Sequence, residues 1–158
     1  MSQTLTALSF WLHALGTVLL IGHYLLLSLI YLPVFVKNQA DPLSGTILSE
    51  ISRRSRSWLY GSMLIFAITG IYLTFVDPNY LGIGNFNNPW AILMLVKHIL
   101  ILAMIGMGFW FNGILRVGPL MSSNTGSTRA IAHFRQYSNL MAIAGVLVLL
   151  LTAISQAQ

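Results

Sequence analysis

Residues 16–33 read GTVLLIGHYLLLSLIYLP, an apolar run with one imidazole, His23, near its middle. Followed upstream to Leu8, the same run takes in a second imidazole, His13. From about Leu8 to Tyr31 it exceeds the roughly 20 residues needed to cross a hydrocarbon core of about 30 Å. In lipid every backbone N–H and C=O must be satisfied within the chain, so a run of this kind is read as a helix. Pro33 follows, and a proline ring cannot continue the helical ladder, so the first span is predicted to end before it.

Three further segments have the same character. They run from about Trp58 to Phe75, ending at Asp77-Pro78; from about Pro89 to Leu115, with Pro89 suited to a first helical turn; and from about Phe134 to Ile154. Alternating short strands, the mark of a membrane barrel, do not occur. Composition agrees. Apolar residues make up 56% of the 158 and charged residues 7%, against about 25% charge in an ordinary soluble domain. There is no cysteine, which removes disulfides, thiolate metal sites and iron–sulfur clusters. The first segment lacks a basic leader and a small-residue cleavage site, so it reads as a retained helix and not a signal peptide. The prediction is an all-α, four-helix transmembrane bundle forming a single membrane domain over residues 1–158.

The net charge of +5 is distributed in a way that argues against nucleic acid as a partner. Lys37, Arg53, Arg54 and Arg56 lie between the first and second spans, and Arg116, Arg129 and Arg135 between the third and fourth. These basic residues flank apolar segments and build no basic face. By the positive-inside rule both of their loops are cytoplasmic and both termini face outward, as in a protein of a bacterial inner membrane. Trp11, Trp58, Trp90 and Trp110 fall near predicted span ends, where an aromatic belt would sit. The segment SGTILSEISRRSRSW, with a capping-type Ser44, reads as a cytoplasmic extension of the second helix. MSSNTGST, residues 121–128, reads as a flexible linker.

The chemistry lies in the intramembrane polar residues. His13 sits about 8 Å below the outer surface and His98, in the third span, about 13 Å below it, at 1.5 Å per residue. His23 lies about 15 Å deeper than His13 on the same helix, within one broad face shared with Ser9, Gly16, Leu20 and Leu27. His98 shares a face with Met94, Ile101, Ile105, Gly108 and Asn112. A histidine in a span can serve simply as an interhelical hydrogen bond. Three of them with Lys97, in spans otherwise nearly free of charge, point further, because intramembrane ionisable residues mark function.

Neutral imidazole ligates haem iron and copper. Bis-histidine ligation needs two imidazoles at similar depth and small residues that admit a flat macrocycle. His13 and His98 meet the first need; Gly16 on the first helix, with Thr69 and Gly70 on the second, meet the other. Lys97 would pair with haem propionates near the outer surface or snorkel to the interface. A second haem would require His23 and a partner, for which His133, at the cytoplasmic entrance of the fourth span, is the other histidine. Copper is the alternative metal, with His13, Met94 and His98 as the soft donor set.

The motifs LHALGTVLLIG, ISRRSRSWLYGSMLIFAITGIYLTF and NPWAILMLVKHILILAMIGMGFWFNGILRVGP resemble the CopD family of copper-resistance membrane domains over nearly the whole chain. YLPVFVK and the lysine-bearing third span are similar, more loosely, to HemJ-type protoporphyrinogen oxidases. The first resemblance implies copper uptake or handling across the inner membrane, the second a haem b carried by a small helical bundle. Carried over by position, they point to His13, Gly70 and Lys97, followed by His23 and His98. The leading expectation is a haem b protein on a CopD-like scaffold that exchanges electrons with quinone or an outer-side partner. The alternatives are copper transport or delivery, and a non-catalytic accessory subunit of a larger membrane complex. Asp41, Glu50 and Asp77 all fall in predicted loops, so no carboxylate pair or nucleophile–base set marks an enzyme.

Overall fold

A computed structural model describes residues 3–37, 42–110 and 127–157. They form four helices: α1 (Gln3–Lys37), α2 (Pro42–Val76), α3 (Pro89–Phe109) and α4 (Ser127–Gln156), with no strand among the described residues. Each contains a stretch long and apolar enough to cross a membrane. Val18, Leu29, Ile68 and Leu102 are all exposed on the outside of the bundle, the inverse of a water-soluble helix packing.

The helix boundaries follow local chemistry. The second helix begins at Pro42, ahead of Ser44, so the helical extension before the second span exists and includes Ser44. It stops at Val76, before Asp77-Pro78. In the following loop the Asp77 carboxylate accepts the Asn79 amide at 2.9 Å, and Gly82 and Gly84 take positive φ, which side-chain-bearing residues rarely adopt. Asn88 then caps α3, its Oδ1 accepting the Ala91 amide at 2.8 Å, with Pro89 in the first turn. The predicted end of the third span at Leu115, together with Asn112, Arg116 and most of the 121–128 linker, lies outside the described residues. Ser127 and Thr128, at the end of that linker, already belong to α4.

Pro33 does not end the first helix. The helix passes through it to Lys37 by opening into a π-helical turn over Leu27–Tyr31. The Leu32 amide reaches back five residues to the Leu27 carbonyl. This wider turn relieves the clash that a proline ring would make with an α-helical carbonyl four residues earlier.

The helices run up and down. α1 packs most extensively along α2, α3 packs along α4, and α1 also packs along α4. Small residues set two of these approaches. A Cβ at Gly16 would lie 3.4 Å from the Ser62 carbonyl oxygen of α2, and one at Gly145 of α4 would lie 3.0 Å from Ile21 Cγ2. Leu20, Tyr24 and Leu27 of α1 meet Met63 of α2, Met104 of α3 and Met141 of α4 in the core. The α1 arc of Ser9, Gly16, Leu20 and Leu27 is buried throughout, as its composition predicts. The belt differs in one member: Trp11, Trp58 and Trp110 are exposed, but Trp90 is buried against the bundle.

Candidate functional site

His13 is fixed against α2. Its Nδ1 lies 3.0 Å from the Thr69 hydroxyl. That hydroxyl has a single proton, and it donates it to the Ile65 carbonyl 2.6 Å away. Thr69 therefore accepts from His13, which assigns the proton of the ring to Nδ1 and leaves Nε2 with a lone pair. The ring stacks on Phe66, with centroids 4.3 Å apart and an interplanar angle of 21°. Gly70 supplies the space on the next turn: a Cβ there would stand 3.1 Å from His13 Cε1. A second polar link between α1 and α2, Thr6 to Tyr72 at 3.3 Å, lies nearer the same end. Gly16, named with His13 for a cofactor, lies where α1 and α2 come into contact.

His98 is fixed by its own helix. Its Nδ1 lies 2.6 Å from the Met94 carbonyl, which can only accept, so Nδ1 again carries the proton and Nε2 the lone pair. The His98 ring makes no other hydrogen bond among the described residues, and the His13 ring also meets the Phe66 backbone. Lys97 is half-buried on α3, next to His98 in the chain. The two imidazoles are not in a packed pair: α3 lies along α4, and along α1 its contact is slight. Among the described residues no group of three or more His, Cys, Asp and Glu side chains is gathered for a metal ion.

The half of the bundle around the π turn of α1 carries a different polar set. The Tyr24 and Tyr137 hydroxyls are 3.1 Å apart, buried between α1 and α4. The Ser28 hydroxyl donates to Asn139 Oδ1 at 2.6 Å. Gly108 of α3 approaches both phenols, since a Cβ there would lie 3.8 Å and 3.9 Å from their oxygens. His23, half-buried, meets Tyr24 edge-on with ring centroids 5.4 Å apart. His133 is exposed. Sequence reasoning passed over Tyr24, Ser28, Tyr137 and Asn139, and Phe66 as well. The signal available was the polar triplet Tyr137-Ser138-Asn139 inside an apolar span.

Compared with protein-family models, with curated proteins and with solved structures, the chain matches none, so its chemistry is argued from its own residues.

Proposed function

We propose that this protein is a membrane-embedded haem b carrier on a CopD-like scaffold, in which His13 and His98 would hold the haem iron and both termini lie on the outer side. The observation that carries this reading is the shared support of the two rings: each has its Nδ1 held by an oxygen of the protein. Ligating histidines are held in that way, because the bond at one nitrogen sets the direction and basicity of the other. The donor chemistry fits: His13 and His98 would hold the group through imidazole nitrogen, a ligand of haem iron.

When bound, haem b would supply one-electron transfer to and from quinone or an outer-side partner. The chain's own residues have distinct tasks. Thr69 sets the His13 tautomer, Phe66 walls one face of its ring, and Gly70 leaves room at Cε1. Lys97 offers the cation that a propionate would need at that end of the bundle. The seven basic residues in the 32–57 and 116–135 segments favour a cytoplasmic position for those loops.

A reduced-minus-oxidised absorption spectrum of the purified protein tests this directly. The expected result is a haem b Soret and α band that disappears in both His13→Ala and His98→Ala. Two haems per chain would bring in His23 and His133. Stoichiometric copper without porphyrin would move the function to copper transport or delivery through His13, Met94 and His98. Absence of both, with co-purifying chains and silent histidine substitutions, would identify an accessory subunit.

A further inference from the structure

We infer that the π turn of α1 and Ser138 of α4 together hold an ordered water molecule deep in the bundle. Two independent observations meet there.

The first is Ser138. It is fully buried, and its Oγ has no hydrogen-bond partner among the described residues. Serine and threonine in helices usually settle their hydroxyl on the carbonyl four residues back. Thr17, Ser62, Thr69, Thr74 and Thr152 all do so here. Ser138 does not take the Phe134 carbonyl that this pattern offers. A buried hydroxyl left unpaired is costly, and native structures satisfy such groups with protein or with ordered water. Its direction follows from its place on α4. Gly145, seven residues on, lies within about 20° of Ser138 around the helix, and it packs on Ile21 of α1. Tyr137 and Asn139, the residues on either side of Ser138, bond Tyr24 and Ser28 of α1. Ser138 is thus buried on the side of α4 that meets α1.

The second is the backbone of α1 at that place. In an α-turn the Leu32 amide would bond the Ser28 carbonyl, but it goes to Leu27 instead. The next candidate donor for Ser28, at the five-residue spacing of the π turn, is Pro33, which has no N–H. The Ser28 carbonyl thus has no helical donor at either spacing. An acceptor on α1 and a hydroxyl on α4 remain, on the patch where Ser28 and Asn139 already touch. A water needs two or more polar partners in a buried site, and it can donate to the carbonyl while exchanging a hydrogen bond with Ser138. This assignment is independent of any haem or copper.

The test is water-to-amide cross-relaxation in the perdeuterated, amide-protonated protein in lipid nanodiscs. Cross-peaks at the water frequency are expected at the Leu29 and Ser138 amides and not at Met141, one turn deeper in the core. Ser138→Ala should abolish them and lower the folded-to-unfolded ratio by about tenfold. Ser62→Ala, which removes a hydroxyl bonded to its own helix, should leave them in place. Cross-peaks that survive Ser138→Ala, or that come from lipid glycerol protons, would overturn the assignment. So would their absence in a wild-type protein that Ser138→Ala leaves at least as stable.

Discussion

His13 takes its orientation from a neighbouring helix, through Thr69 and Phe66, whereas His98 takes its orientation from its own, through the Met94 carbonyl. The two rings reach the same protonation pattern by different supports. The difference extends to the helices that carry them. The most apolar 18-residue window of α1 is 28% buried, and that of α3 only 11%. His13 is thus part of the joint between two tightly packed helices. His98 travels with a helix that owes most of its position to α4. Substitutions in α2 should disturb one imidazole and spare the other.

The strongest way to break this comparison is to remove each ring in turn. His13→Ala deletes a stacked, hydrogen-bonded side chain from a packed joint and should cost about 2–3 kcal/mol. His98→Ala loses only a bond to its own helix and should cost less than about 1 kcal/mol. Denaturant titration of the metal-free protein in mixed micelles measures both, and equal losses would mean that the two supports do not differ. Thr69→Val sharpens the same point with a smaller effect. It leaves the His13 Nδ1–H without its acceptor, at about 1 kcal/mol, and nitrogen-15 imidazole shifts should change for His13 while those of His98 stay fixed. The smallest effect is expected far from both rings. Arg53 donates two hydrogen bonds to the Glu50 carboxylate and holds its pKa below the usual carboxylate range. A depressed carboxylate contributes stability above its ordinary pKa and loses it as pH falls through the depressed value. Both side chains are exposed, so the acid-induced change should be slight. Glu50→Gln should flatten it without moving either histidine, as read from the pH dependence of unfolding.

Much of the architecture was legible in the residues. Hydropathy placed all four helices, and Asn88-Pro89 and Asp77-Pro78 marked where two of them begin and end, because capping and proline chemistry are local. Pro33 misled for the same reason. A local rule ends a helix there, but the chain escapes it by widening one turn, which no short pattern announces. The faces were also readable: Ser9, Gly16, Leu20 and Leu27 are inward as their spacing indicates. Periodicity tells which side of a helix is inside but not which helix lies opposite. Matched depth therefore drew His13 toward His98, and it is the packing of α1 on α2 that puts Thr69, Phe66 and Gly70 against the His13 ring. Tyr24 and Tyr137, 113 residues apart, were illegible for that reason, since each alone is an ordinary apolar-span aromatic.

The pairing of α1 with α2 and of α3 with α4 also bears on how the protein is made. Each pair is made of helices adjacent in the chain, and the first is joined by residues 38–41 alone, so its closure carries little chain entropy. The first hairpin already contains the Thr6–Tyr72 and His13–Thr69 bonds, and its second helix is complete at Val76. It can assemble in the bilayer while the ribosome is still translating α3. The Tyr24–Tyr137 and Ser28–Asn139 bonds must wait for the last helix to arrive. Biogenesis would thus build the His13 joint first and lock the two hairpins together through Tyr24 and Ser28 last.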